Sequence, residues 1–306
     1  MNHKVRFAGH GAILLCAVLW STSGLFIKLM TWHPMVIAGS RSFLAVFILL
    51  LVRMRQEKSQ KLLPNPVSAK EFSRHFIWAV GCGFWYAATM ILFVFANRLT
   101  FAANAILLQY TAPIWACLLG WYLLKEKPHW EHWVALALVC FGMLLFFSNG
   151  LAGNFAANAG GSPLGDLLAL LSGITFAVNT VILRKHKEGN PLDIMIYAHI
   201  LCLTFSAPFF FIYPPELNAP NILPILFMGI FQIGVASALF VYGIKRVRAV
   251  QAMLTAAIEP VLNPVWVLLV IGEKPALSVI AGGILIVSAV VFSSFVTRRR
   301  EISIST

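Results

Sequence analysis

The chain has 306 residues, 59% of them hydrophobic and 11% charged, with a mean hydropathy of +0.83. Soluble globules carry about 45 to 50% apolar residues, so this composition excludes one and describes an all-α membrane protein that crosses the bilayer repeatedly. A net charge of +12 and a pI near 9.8 would suit a nucleic-acid binder only if Lys and Arg clustered on one soluble face. Here they lie in short loops between apolar runs, and no nucleic-acid partner is expected.

Ten apolar runs succeed one another, at 8–28, 35–52, 76–97, 101–123, 130–149, 164–184, 192–212, 222–245, 249–271 and 276–296. Each suits a hydrocarbon layer about 30 Å thick at about 1.5 Å per helical residue. The first, preceded by Lys4 and Arg6, has the look of a signal peptide, but no A-x-A site follows and a later run matches it, so it reads as a helix. Arg41 lies about six residues into the second run, roughly 9 Å below the boundary. Two readings of it stand: it holds a substrate carboxylate through a bidentate bond, or it pairs with a carboxylate of the protein. In the loop after this run, Ser68-Ala69-Lys70-Glu71 has the pattern of a capping box that starts an interfacial turn. The Gly-, Ala- and Asn-rich stretch 148–163 reads as a flexible external linker.

Lys28 and Arg184 end their runs and are expected to reach toward the interface. His199 and Gln232 are isolated polar groups, the histidine reading as hydrogen-bonded packing. The cysteines at 16, 82, 117, 140 and 202 form no CxxC or Cys/His set, so they read as small packing residues with no disulfide and no metal.

Orientation follows from the loops. Nineteen of the 23 Lys and Arg fall on one side and three on the other, with Arg41 inside a run. Such a bias places both termini in the cytoplasm of a cytoplasmic (inner) membrane protein.

The ninth run carries one carboxylate, Glu259, about ten residues and so roughly 15 Å from either face. An ionisable group at that depth costs about 2.5 to 3.5 kcal/mol and usually marks a substrate or ion path; the plainer reading is a buried acid that ties two helices together. Gln251, Thr255, Glu259 and Asn263 recur every four positions and form one polar ridge of a helix. Pro260 and Pro264 follow and leave carbonyls without donors.

The sequence repeats itself. An offset of 147 aligns residues 102–128 with 249–275 without a gap, setting Pro113 on Pro260 and Glu126-Lys127-Pro128 on Glu273-Lys274-Pro275. An offset of 156 sets Gly9 to Lys28 on Gly165 to Arg184, and Pro34 matches Pro191. Two units of five spans result, 8–149 and 164–296, joined by the linker 150–163 and followed by a tail at 297–306. An odd number of spans turns the second unit over, so the repeat is inverted, and the matched interruptions at Pro113 and Pro260 point to the site between the units.

The stretches WSTSGLFIK, GDLLALLSGITFAVNTVILRK, TAPIWACLLGWYLLKEKP and IEPVLNPVWVLLVIGEKP resemble the EamA-type family of the drug/metabolite transporter superfamily, over about residues 10–295. The resemblance implies ten transmembrane helices in two inverted five-helix repeats around a central cavity, and usually export of small metabolites such as amino acids. Phe176 departs from the Trp such proteins often carry.

Candidate lining groups come from mid-span polar and aromatic residues. Trp20, Ser21 and Ser23 lie on the first run, Trp85, Tyr86 and Thr89 on the third, Asn104, Gln109, Tyr110 and Trp115 on the fourth, and Thr175 and Asn179 on the sixth. With Arg41, Gln251, Thr255 and Glu259, the substrate-binding set is Trp20, Ser23, Arg41, Tyr86, Asn104, Tyr110, Asn179, Gln251, Thr255 and Glu259, hinged at Pro113 and Pro260. No GxxxxGK[ST] occurs, so transport must draw on gradients or exchange, without ATP and without a cofactor. Uptake or exchange by the same fold is an alternative to export. An intramembrane lipid-modifying enzyme would need clustered acids or a nucleophile with its base, and Asp166 and Asp193 stand at opposite faces, so no catalytic residue is expected. A receptor or scaffold would not need a polar midplane ridge.

Overall fold

Backbone polar groups in hydrocarbon must be satisfied inside their own segment, and among the described residues every element is helical. The computed structural model describes residues 3–23, 26–27, 30–60, 69–100, 102–146, 148, 162–186, 190–271 and 277–305. In chain order the helices are α1 His3–Trp20, α2 Pro34–Gln60, α3 Ala69–Leu99, α4 Ala102–Gln109, α5 Ala112–Leu124, α6 Trp130–Phe146, α7 Pro163–Lys185, α8 Pro191–Ile212 and α9 Ala219–Phe227. A π-helical stretch, Met228–Val235, joins α9 to α10 Ala236–Ile244, and α11 Ala249–Ala256, α12 Glu259–Ile271 and α13 Leu277–Ser305 complete the chain.

Helix starts follow local chemistry. α7, α8 and α9 each have proline in the first turn, where its missing N–H costs nothing. Asn190 and Asn218 cap α8 and α9 by accepting from Leu192 N and Asn221 N.

Among the described residues five helices are long and apolar enough to cross a membrane: Pro34–Glu57, Ala79–Leu99, Pro163–Lys185, Pro191–Ile212 and Ala219–Ile244. The other five expected runs hold shorter apolar helices, and the fourth and ninth are each broken in two. One expectation fails at the start of α3. Residues 69–75 form no separate interfacial turn but belong to one helix of 31 residues. No Gly or Pro stands between Ala69 and Val80, and extending a helix is easier than nucleating a second one. Residues 297–305 likewise prolong α13; Ser68 and most of the 148–163 linker lie outside the described residues.

The helices pack in matching sets. α7 lies on α3, α4 and α5, while α1 lies on α10 and α11; α8 packs on α2 and α3, α2 also packs on the π-helical stretch, and α6 packs on α13. Glycines allow the closest approaches. A Cβ on Gly165 would stand 2.8 Å from Leu99 C and Thr100 N, and one on Gly9 would stand 2.7 Å from Arg246 Cβ and 3.1 Å from Val247 Cγ1. Gly9 aligns with Gly165, and Leu99-Thr100 aligns with Arg246-Val247 at the offset of 147.

The largest core cluster gathers Ile13, Trp20, Tyr86, Met195, Phe240 and Ile244, and a second one joins Cys117, Leu136, Met143, Leu254 and Ile286. Large apolar side chains such as Phe47, Phe141, Phe211 and Ile284 stay exposed on the outside of the bundle. All five cysteines are free thiols, four buried and Cys140 half-buried.

Candidate functional site

Proline lacks an N–H and clashes with the carbonyl four residues before it. Pro113 and Pro260 therefore release Gln109 O and Ala256 O, and the chain breaks at both places: α4 ends at Gln109 and α11 at Ala256. The breaks are closed alike. Thr111 N donates to Leu108 O at 3.2 Å, and its aligned partner Ile258 N donates to Thr255 O at 3.5 Å. The Tyr110 hydroxyl, from the first break, lies 3.2 Å from the released Ala256 O and 2.7 Å from Glu259 Oε2.

Breaking the ninth run moves Glu259 from mid-helix to the first turn of α12, where the helix dipole favours negative charge. It also interrupts the ridge expected along one helix. Gln251 Oε1 accepts from Arg248 N at 3.3 Å and caps α11, while Thr255 Oγ1 lies 3.2 Å from His10 Nδ1. Both are buried, so of this row Glu259 alone reaches the cavity described next; the Asn263 side chain lies outside the described ones.

Between α1, α2, α3, α7, the π-helical stretch and the two breaks lies a cavity of about 90 Å³, several times the space one water needs. Its polar wall is Ser23, Arg41, Thr89, Gln109, Gln232 and Glu259, and its apolar wall is Trp20, Tyr86, Met90, Phe93, Phe176 and Ile233. The aromatic floor is interlocked. Trp20 meets Phe176 edge-on with centroids 5.6 Å apart and 69° between planes, Tyr86 lies 6.5 Å from Phe176, and Phe240 stands behind both at 5.3 Å from Trp20 and 5.7 Å from Phe176. Such pairs add about 0.5 to 1.5 kcal/mol each beyond their buried area. At the top of the floor, Trp266 Nε1 donates to Ser21 Oγ at 2.7 Å and ties α12 to the end of α1.

Arg41 is 4% exposed, and its Nε has no hydrogen-bond partner. Of the two readings, the pairing with a carboxylate of the protein is not met: among the described residues Arg41 forms no ion pair. Gln232 is 1% exposed, donates through Nε2 to Trp20 O at 3.5 Å and leaves Oε1 without a partner. It sits on the π-helical stretch, a geometry frequent at functional sites. His199 stands behind Arg41 between two hydroxyls, Nδ1 at 3.4 Å from Ser42 Oγ and Nε2 at 3.4 Å from Ser237 Oγ.

Of the ten expected binding residues, Trp20, Ser23, Arg41, Tyr86 and Glu259 line this cavity and Tyr110 touches it through Glu259. Asn179 faces the packed interior, with both side-chain polar atoms lacking a partner, and the Asn104 side chain lies outside the described ones. Trp85 is exposed beside Phe84. Met90, Phe93 and Ile233 were not expected, because an apolar residue in an apolar run carries no local mark of a cavity. Gln232 had such a mark in being a lone amide, but nothing in MGIFQIGV announces the π turn that aims it.

The two ends of the bundle differ. At one, Arg184 does not reach out to the surface as expected. It pairs with Glu126 at 3.0 Å and donates to Ile244 O and Lys245 O at 3.3 and 3.1 Å. Lys125, left-handed at φ 56°, turns the chain out of α5 so that Glu126 faces it. Arg53 pairs with Asp193 and Glu57, both at 2.7 Å. At the other end a cavity of about 670 Å³ opens beside Trp32, His33, Arg98, Tyr213 and Glu216. Burial and the Arg98 guanidinium together hold the His33 imidazole below its ordinary pKa. Lys28 and Glu273 lie outside the described residues. Among the described residues no group of three His, Cys, Asp or Glu is placed to hold a metal ion.

A sequence model of the EamA-like transporter family matches residues 7–148 and again residues 163–295. The chain belongs to that family, and it is a multi-pass membrane protein. It is 25% identical over 295 residues to an uncharacterized transporter of Clostridium kluyveri, covering 91% of this chain and 90% of that one. It is 23% identical to an uncharacterized transporter of Archaeoglobus fulgidus (93% and 96% covered) and 22% identical to the uncharacterized transporter YoaV of Bacillus subtilis (88% and 90%). A solved crystal structure shares the fold with a TM-score of 0.74 at 19% identity, covering 98% of this chain and 100% of that chain.

Proposed function

We propose that this chain is a secondary carrier that exports small amphipathic metabolites, amino acids among them, by alternating access between two inverted five-helix halves. The observation that carries the reading is one polar cavity at the level of both proline breaks, with Arg41 supplied by the first half and Glu259 by the second. A buried polar site lined from both halves is what a carrier needs and a passive scaffold does not.

The paired packing supports the inverted repeat. Under the two alignments α1 corresponds to α7 and α3 to the segment of α9 and α10, so α1 on α10 and α7 on α3 are the same contact made twice. Trp20 aligns with Phe176 and Ser42 with His199, and each aligned pair meets across the bundle. The distribution of Lys and Arg puts the Arg184–Glu126 end and both termini in the cytoplasm of the inner membrane. On that reading Arg184 and its three acceptors lie at the cytoplasmic end, and the separate cavity beside His33 lies at the outer end.

The test is flux in proteoliposomes of the purified chain, following labelled amino acids against protein-free vesicles at several values of pH. Saturable flux above the protein-free level is expected; none at any pH removes the reading. Glu259→Gln should flatten the pH profile, and an unchanged profile takes Glu259 out of coupling while leaving transport in place.

A further inference from the structure

An arginine buried in hydrocarbon without an acid beside it is a charge waiting for a partner, since an uncompensated ion there is costly and breaking a buried pair leaves the same penalty. Arg41 is in that state. It stands 4% exposed on the cavity wall with Nε unpartnered. Tyr86, which shares the cavity wall with it, brings no carboxylate, and among the described residues no acid pairs with it. The one acid that shares the cavity, Glu259, is engaged by Tyr110 and forms no ion pair with Arg41 among the described residues.

We propose that the cavity is a site for organic monoanions, in which a carboxylate seats on the Arg41 guanidinium and a flat apolar body lies against Trp20, Tyr86 and Phe176. This deepens the carrier reading above and rests on it for its transport consequence only. A guanidinium presents two parallel N–H groups to a carboxylate, so the site selects that shape as well as the charge. The ring cluster supplies the complementary wall, and aromatic edges and faces accept flat partners. Gln232 Oε1, 1% exposed and without a donor, completes the site as an acceptor for an N–H or O–H elsewhere on the ligand. One cation limits the ligand charge: a phosphate dianion would bring more negative charge than Arg41 alone offsets, beside a second acid at Glu259.

The experiment uses the purified full chain in detergent and three ligands of one shape, 3-phenylpropionate, 3-phenylpropionamide and 3-phenylpropylamine, with affinity read by calorimetry and by the shift in thermal unfolding. The acid should bind at least about 10-fold more tightly than the amide, the difference expected of a charge-assisted hydrogen bond, and the amine should not bind. Arg41→Gln should abolish the preference for the acid, while Arg41→Lys should keep it with about 10-fold weaker affinity, the charge being retained and the fork lost. Equal binding of acid and amide, no binding of the acid, or a folded Arg41→Gln protein that still prefers the acid overturns the proposal. Should Arg41→Gln fail to fold, the wild-type series and Arg41→Lys decide it. Binding that depends on Arg41 without flux of the same acid in proteoliposomes sinks the carrier reading and leaves the site; flux without preference for the acid does the reverse.

Discussion

The Tyr110 hydroxyl bridges two acceptors that exist because of one proline: Glu259 Oε2 at 2.7 Å and Ala256 O at 3.2 Å. Pro260 breaks the helix, which puts Glu259 at a helix start and leaves Ala256 O without its usual donor. One phenol from the opposite half answers both.

Removing that phenol should therefore cost more than an ordinary side-chain hydrogen bond. Tyr110→Phe is expected to destabilise the protein by about 1 to 3 kcal/mol, the cost of leaving buried acceptors without their donor, measured by reversible unfolding in micelles. A double-mutant cycle with Glu259→Gln should show coupling of about 1 kcal/mol or more; simple additivity would mean that the two groups do not act together.

The glycines divide into two kinds, and alanine substitution should separate them. A Cβ on Gly173 would stand 2.6 Å from Gln109 O, the carbonyl that Pro113 releases, whereas Gly11 and Gly81 have nothing within 4 Å. Gly173→Ala should lose about 1 to 3 kcal/mol by overpacking. Gly11→Ala and Gly81→Ala should be neutral or gain up to about 1 kcal/mol of helix propensity. A neutral Gly173→Ala in thermal unfolding would contradict the close contact of α7 with the α4 break.

Arg184 and Glu126 are 11% and 23% exposed, so their pair is neither fully screened nor fully buried. Arg184→Glu or Glu126→Arg alone should each destabilise the protein by about 1.5 to 3 kcal/mol for lost charged hydrogen bonds, seen as a lower unfolding midpoint, and the double reversal should recover part of the loss. Recovery will be incomplete, because the guanidinium also serves Ile244 O and Lys245 O. A double reversal no better than the worse single change would discount the pair.

At the opposite end, His33 stacks on Tyr213 with centroids 4.2 Å apart and planes 3° apart, and on Phe209 at 5.4 Å. Burial first, and then Arg98, lower its pKa from 6.5. The neutral ring is thus the form the fold prefers. Its contribution is present above the unfolded value of 6.5 and is lost as pH falls through the lower folded value. A ring-proton titration by NMR should give a midpoint below 6.5, moving up in Arg98→Gln. His33→Gln should remove this histidine's share of the acid sensitivity; an unshifted midpoint would count against its burial beside Arg98.

Several of these features were legible before any coordinates. Hydropathy marked the apolar runs in which the helices lie, though among the described residues only five of those helices have the length to cross a bilayer. Pro113 and Pro260 marked the breaks, since a missing N–H acts wherever proline falls. Glu259 and Arg41 stood out by cost alone. What failed depended on rotation and on distant partners. The break turned Gln251 and Thr255 away from the row of Glu259. The π turn beneath Gln232 has no sequence signal, and whether Arg184 reaches lipid headgroups or Glu126 depends on which helix ends meet. Asn179, as central in its run as Trp20 in its own, was placed by the packing of α7 against its neighbours.

The edge-on meeting of Trp20 and Phe176 has a consequence for whatever enters. Two identical chains related by a dyad would offer a guest two interchangeable poses, one turned by half a revolution about the axis from the other. In this single polypeptide an indole answers a phenyl ring, Arg41 has Ala198 as its counterpart, Glu259 has Ala112 and Gln232 has Trp85. The chamber is accordingly asymmetric: its two sides do not present the same groups, so a molecule with a distinct head and tail does not meet two equivalent poses in it.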